Sequence, residues 1–159
     1  MIEIIKADLN ISEHAEAMMQ LMETYAIDPM GGNKELSDHV KRNLVQELIK
    51  RTNSHIIIAF TNSQPAGLVI CFEGFSTFNC KPLLNIHDLI VSPSHRRKGI
   101  ARSLLQKVEA IAIELSCCKL TLEVLEGNTS AKSLYQSFGF EGYELNSQMG
   151  KALFWHKEL

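Results

Sequence analysis

Residues 91–102 read VSPSHRRKGIAR, and this stretch leaves an apolar strand pattern and enters a helical one. The first turn of a helix carries backbone N–H groups without partners at a positive dipole end, which favours a bound phosphate. Gly99 and Ala101 keep their side chains small, so a bulky anion can approach the backbone. Arg96, Arg97, Lys98 and Arg102 add positive charge. The other interpretation is a solvated basic turn before an ordinary helix.

Hydrophobic periodicity on either side of this stretch predicts an α/β (α+β) fold around one mixed, twisted sheet. We expect about seven strands flanked by about four helices, in the order β-α-α-β-β-β-α-β-α-β-β. The predicted strands lie at about residues 2–5, 55–60, 66–75, 83–91 and 120–124, with two more near Tyr143 and Trp155. The predicted helices lie at about residues 13–25, 36–50, 99–116 and 129–138.

Length and composition limit the classes of protein. A chain of 159 residues predicts one domain, residues 1–159. The formal net charge of -2 disfavours a nucleic-acid binder, which normally has a strong basic excess. The first ten residues, MIEIIKADLN, do not resemble a signal peptide, and no apolar run reaches the ~20 residues of a membrane span. We therefore expect a cytoplasmic protein without a membrane partner.

The cysteines do not indicate a metal site or a redox pair. Cys71, Cys80, Cys117 and Cys118 include no C-x-x-C pair, and two adjacent cysteines do not have the spacing of a structural zinc site. Buried or incidental thiols of a reducing compartment are the simpler interpretation. We expect no metal.

Two motifs resemble those of the GNAT acetyltransferase superfamily. Arg96-x-x-Gly99-x-Ala101 is similar to the family's Q/R-x-x-G-x-G/A signature, with alanine where glycine is commoner. The stretch from Asn128 to Phe140 resembles the family's N-x-x-A-x-x-L-Y-x-x-x-G-F block. The predicted order of elements is also the family's order, so the resemblance spans nearly the whole chain.

The resemblance implies an acetyl-CoA-dependent N-acetyltransferase, with acetyl-CoA as the cosubstrate. In such a protein the backbone of Leu89, Ile90 and Val91 would pair with the pantetheine arm, as an added strand pairs with a sheet edge. The pyrophosphate would lie on the stretch that comprises Arg96, Arg97, Lys98, Gly99, Ile100, Ala101 and Arg102. Asn128 and Ala131 would also lie at the cofactor, and Tyr135 would sit near its sulfur.

Acetyl transfer to an amine requires removal of a proton, because an amine with a pKa near 10.4 is almost wholly protonated at neutral pH. By strict alternation Asn85, His87 and Leu89 share one face of their strand, and Asp88 points to the opposite face. Of these, His87 is the predicted base, with a structural histidine or a water chain as alternatives. Tyr135 is the predicted acid for the leaving thiolate, and simple packing is its alternative.

The acceptor is less well specified. A weaker resemblance of residues 75–89 and 152–155 to the polyamine and thialysine acetyltransferase branch favours a small-molecule primary amine and a possible homodimer. Asp28 and Glu73 are possible anchors for a cationic amine, although an ordinary turn or surface carboxylate is the simpler interpretation of each one alone. A protein or peptide N-acetyltransferase and a non-catalytic acyl-CoA-binding regulator remain as alternatives.

Overall fold

The computed structural model describes residues 1–159, which form two compact units, Met1–Glu123 and Val124–Leu159. The first unit contains β1 (Ile2–Lys6), α1 (Ser12–Ala26), α2 (Asp38–Ile49), β2 (Ser54–Thr61), β3 (Gln64–Ser76), β4 (Lys81–Val91), α3 (Ile100–Glu114) and β5 (Leu120–Leu122). Short 3-10 turns, Pro29–Gly31 and Pro93–His95, precede α2 and α3. No helix combines the length and hydropathy that a membrane crossing requires.

The five strands form one mixed sheet in the order β1-β2-β3-β4-β5. The pairs β1–β2, β2–β3 and β3–β4 are antiparallel, and β5 is parallel to β4 over only three residue pairs, Leu84↔Leu120 to Ile86↔Leu122. The strands β2 and β3 carry long runs of buried residues, as expected for a sheet covered on both faces.

Helices cover the two faces of this sheet. Met18 and Leu21 of α1 and Leu48 of α2 pack with Leu68 and Ile70 of β3 in one apolar core. On the other face, α3 approaches β3 at Gly67, where an added Cβ would meet the Ile100 side chain at 2.9 Å. Glycine at this position therefore lets the first turn of α3 lie close to the sheet.

The second unit contains α4 (Thr129–Ser137), so the four predicted helices are all present. The order of elements also agrees with the prediction as far as α4. The two strands predicted near Tyr143 and Trp155 are absent: the only pairing after α4 is an isolated bridge, Glu144↔Lys151. The apolar run Leu153-Phe154-Trp155 is exposed and pairs with no strand, so its composition alone does not produce one.

Candidate active site

A β-bulge lies in the middle of β4. Ile86 is opposite Cys71 and Asp88 is opposite Ile70, so His87 is an extra residue with no partner on β3. A bulge of this kind interrupts the alternation of side chains and redirects the residues beside it. His87 is exposed, and its ring packs edge-on against Phe72 at a centroid distance of 5.4 Å.

The bulge overturns the predicted arrangement of faces. Asp88 is opposite Ile70, which belongs to the core beneath α1, so Asp88 faces α1. His87 contacts Phe72, which packs against the same core. Leu89 is opposite Val69 and lies on the other face. His87 and Asp88 therefore share a face and Leu89 does not, because the extra residue shifts the register by one.

Beyond the bulge, the second edge of β4 is not paired with β5. The β4–β5 pairing ends at Ile86↔Leu122, while the pairing of β4 with β3 continues to Val91. Leu89, Ile90 and Val91 therefore have a neighbouring strand on one side only, and Ile90 is buried. An unpaired edge offers N–H and C=O groups that an extended ligand can pair with.

The loop between β4 and α3 turns sharply through left-handed residues. Arg97 has a φ of +61° and Gly99, the N-cap of α3, has a φ of +81°. No side chain caps this end of α3, and no heavy atom lies within 4 Å of a Cβ built at Gly99. The first turn of α3, which begins at Ile100, therefore has no side-chain cap, and a ligand can approach the backbone at Gly99. Non-glycine residues in the left-handed region often mark functional sites.

The side chains of this loop have different partners. The Lys98 ammonium donates to the Ser94 carbonyl over 2.8 Å, and the Ile100 side chain is buried under the sheet, so only its backbone could serve a ligand. Arg96 donates through Nε to the Val91 carbonyl and through its terminal nitrogen to the Asp28 carboxylate. The Arg96 ion pair and the Met30 amide lower the pKa of Asp28.

Asp88 is an acidic group without an ion pair on the α1 face. Burial raises the pKa of Asp88, and the neighbouring His87 opposes that rise. Burial also raises the pKa of Tyr25, and the negative charges of Asp88 and Asp28 raise it further. Tyr25, His87 and Asp88 thus form a cluster of titratable groups beside the end of α1.

The two carboxylates considered as amine anchors already have partners. Asp28 is held by Arg96 and by the Met30 amide, 2.9 Å away. Glu73 is opposite Leu84 on the α3 face and bonds the buried His55 ring over 2.7 Å. Asn85 is tied to Thr121 of β5 over 3.0 Å. Strict alternation predicts Asp88 on the face opposite His87, and the bulge, which no local pattern marks, brings it to the same face.

In the second unit, the Asn128 side chain caps α4 by accepting the Ala131 amide over 3.2 Å. Tyr135 lies near the end of α4 with 9% of its surface exposed, and its ring packs edge-on against Phe140 at 5.7 Å. The residues predicted from the second motif thus include a helix cap and a packed ring. No group of three or more His, Cys, Asp or Glu residues is arranged to hold a metal ion.

Comparisons with known proteins identify the family. The model of the acetyltransferase (GNAT) family matches residues 15–140. An aminoglycoside N(6')-acetyltransferase type 1 of Acinetobacter genomosp. 13 is 28% identical over 80% of this chain and 92% of its own length. A thialysine N-epsilon-acetyltransferase of Caenorhabditis elegans is 33% identical over about half of each chain, 54% and 53%.

Solved structures show the same fold. A probable acetyltransferase with 22% identity has a TM-score of 0.81 over 98% of this chain and 99% of its own. AAC(6')-Iy, solved in complex with the bisubstrate analog CoA-S-monomethyl-acetylneamine, has a TM-score of 0.77 at 17% identity, over 100% of this chain and 99% of its own. Because the family model matches most of the chain, this protein belongs to the acetyltransferase (GNAT) family and is an enzyme of the N-acetyltransferase class.

Proposed function

We propose that this protein moves the acetyl group of acetyl-CoA to the primary amine of a small molecule by direct transfer. The observation that carries the proposal is one continuous segment: an unpaired strand edge, a left-handed turn and the uncapped start of α3. The edge suits an extended amide-containing arm, and the helix start suits a pyrophosphate. Acetyl-CoA contains both groups, and the family is one of acetyltransferases.

In this proposal the cofactor is held mainly by backbone. Leu89, Ile90 and Val91 pair with the pantetheine arm, and the amides of residues 97–102 hold the pyrophosphate. The positive charges of Arg97, Lys98 and Arg102 add attraction for the phosphates. Asn128 still has its amide nitrogen to offer, since only its oxygen is used by the cap. Residues 1–159 act together as one N-acetyltransferase domain, and the family match takes in parts of both units.

The amine must lose a proton before it attacks the thioester carbonyl. His87 is the proposed base, because it is exposed on the face of β4 that also carries Asp88. The attack forms the N–C bond, and collapse of the tetrahedral intermediate breaks the C–S bond. Tyr135 is the proposed donor of a proton to the departing thiolate. No covalent enzyme intermediate is needed, and burial raises the pKa of Cys71 to about 12, which makes this thiol a poor nucleophile.

The proposed acceptor is a small, positively charged amine. Asp88 is a carboxylate that faces the proposed base without an ion pair of its own, which suits an ammonium group. The relatives are named for aminoglycosides and thialysine, both of which are amines. A homodimer, expected from the resemblance to the thialysine branch, is also proposed and can be tested by sedimentation at micromolar concentration.

The test is a thiol-release assay with acetyl-CoA against a panel of aminoglycosides, thialysine, polyamines, amino acids and peptides. The proposal expects a small amine to be turned over at least tenfold faster than any peptide. Turnover of peptides alone would replace the acceptor with a protein amine. Acetyl-CoA binding without turnover of any acceptor would favour a non-catalytic acyl-CoA-binding regulator.

A further inference from the structure

We propose that Arg96 is a positioning residue that fixes the α1–α2 loop, residues 27–37, and that it is not a ligand of the pyrophosphate. We call the contacts of Arg96 with Val91 and Asp28 the clamp. The loop that the clamp fixes lies beside the titratable cluster, so it forms one wall of the proposed acceptor site. This inference rests on the proposed function for its meaning. The clamp itself is visible in the contacts of the first unit.

The contacts of Arg96 commit its guanidinium to the protein. Nε donates to the Val91 carbonyl over 3.2 Å, at the end of β4. The terminal nitrogen donates to Oδ2 of Asp28, which is 68 residues away in the chain. Arginine holds a carboxylate through a rigid, planar set of donors, so the two contacts fix the direction of the side chain. A phosphate would have to break this ion pair to recruit Arg96.

The other end of the clamp is Asp28, whose hydrogen bonds hold the turn at the start of the loop. Oδ1 of Asp28 accepts the Met30 amide over 2.9 Å, and the Asp28 carbonyl accepts the amides of Gly31 and Asn33. The Asp28 side chain is only 14% exposed, against 50% for Arg96. The turn is also closely packed, because a Cβ at Gly31 would lie 1.9 Å from the Tyr25 carbonyl. Movement of Asp28 would therefore disturb the whole turn.

Tyr25, the next-to-last residue of α1, connects the loop with the face of β4 that carries His87 and Asp88. The Tyr25 carbonyl accepts the Asp28 amide over 3.0 Å, and its phenol lies within electrostatic reach of both Asp28 and Asp88. The end of β4 is thus joined to the loop by Arg96, and the loop to the Asp88 region by Tyr25. Arg97 is not tied to Asp28 and is left for the anion, whereas the Lys98 ammonium donates to the Ser94 carbonyl.

Hydrogen exchange with mass spectrometry tests the clamp directly, together with calorimetry of acetyl-CoA binding. Arg96→Gln should speed exchange of the amides in residues 28–34 by about tenfold, as expected when a charge-assisted hydrogen bond is lost. Residues 104–112 of α3 serve as the internal control for intact folding. The acetyl-CoA dissociation constant should stay within about threefold of wild type.

Three further variants make the result specific. Arg97→Gln removes the same charge one residue away and should weaken acetyl-CoA binding without changing the loop. Asp28→Asn should speed loop exchange as Arg96→Gln does, and the double variant should add nothing further. Arg96→Lys should restore part of the protection.

Unchanged loop exchange in Arg96→Gln, additive effects in the double variant, or a loss of acetyl-CoA affinity larger than that of Arg97→Gln would each overturn the inference. If the wild type does not bind acetyl-CoA, the proposed function fails. The exchange experiment then still decides whether the clamp exists.

Discussion

The β4–α3 loop and the cluster around the β4 bulge differ in charge, in burial and in whether backbone or side-chain groups are proposed to act. The loop is basic and exposed, and its proposed ligand groups are mostly backbone amides. The cluster of Tyr25, His87 and Asp88 includes partly buried acidic groups whose pKa values are raised. One region thus suits an anion and the other a cation, and the two are consecutive along β4.

This difference assigns cofactor binding to the loop and proton transfer from the amine to the cluster, within the proposed reaction. A phosphate held by backbone amides tolerates side-chain changes, because the helix start itself supplies the donors. Proton transfer depends on individual side chains, each with its own proton affinity. Removal of a group that transfers a proton in the bulge cluster should therefore cost much more than loss of a single side chain in the loop.

The largest effect is expected at His87. Replacement of His87 by Gln keeps much of the size but removes the base, so turnover should fall about 100- to 10,000-fold. Under the same conditions Asp88→Asn should cost less than about tenfold. The measurement is turnover of the best acceptor over a range of pH, under conditions where chemistry is rate-limiting.

The comparison of the two variants names the base. The acidic limb of the rate profile should be lost or displaced in the His87 variant, since that limb reports an essential base. A larger loss in Asp88→Asn than in His87→Gln would make Asp88 the base. Losses within about twofold for both would leave a water chain as the relay.

The next effect concerns Tyr135, which is expected to act on rate alone. Tyr135→Phe keeps the ring that packs against Phe140 and removes only the hydroxyl. Turnover should fall about 100-fold, while the acetyl-CoA dissociation constant stays within about twofold, because the contact is made mainly in the transition state. Equal turnover in the two proteins would reduce Tyr135 to a packing residue.

A smaller effect is expected at the start of α3. Ala101→Glu places a negative charge where the pyrophosphate is proposed to bind, and Ala101→Gln is its neutral match in size. The Glu variant should bind acetyl-CoA at least about tenfold more weakly than the Gln variant, from charge repulsion at the helix start. Calorimetry on both variants measures this. Gly99→Val is a poorer test, because a φ of +81° strains any β-branched residue there.

Features that depend on residues close together in the sequence could be predicted, and features that depend on distant residues could not. The loop and the cap of α4 depend on neighbours within a few residues, so spacing alone indicates them. The bulge depends on how β4 pairs with β3, and the Arg96–Asp28 pair joins residues 68 positions apart. Neither leaves a local pattern. The strand predicted near Trp155 is absent for a related reason, because a strand needs a neighbouring strand to pair with and an apolar composition does not supply one.

The smallest effects concern the stability of Asp88 and Asp28, which should respond to pH with opposite signs. The folded protein raises the pKa of Asp88, so above about pH 4, the unfolded value, its ionisation disfavours folding. Asp88→Asn should therefore become more stable than wild type as the pH rises through the raised pKa, and this advantage should then level off.

Asp28 has a lowered pKa, so its contribution is present at neutral pH and lost as the pH falls through that value. Asp28→Asn should be destabilised at pH 7 by no more than about 1 kcal/mol, because Arg96 is half exposed. Urea unfolding of both variants and wild type from about pH 2 to about pH 7 measures the two signs, because the Asp28 contribution is lost below about pH 4 and the Asp88 contribution changes above it. The same sign for both would contradict the pairing of Asp28 with Arg96 of the basic β4–α3 loop and the placement of Asp88 in the titratable cluster.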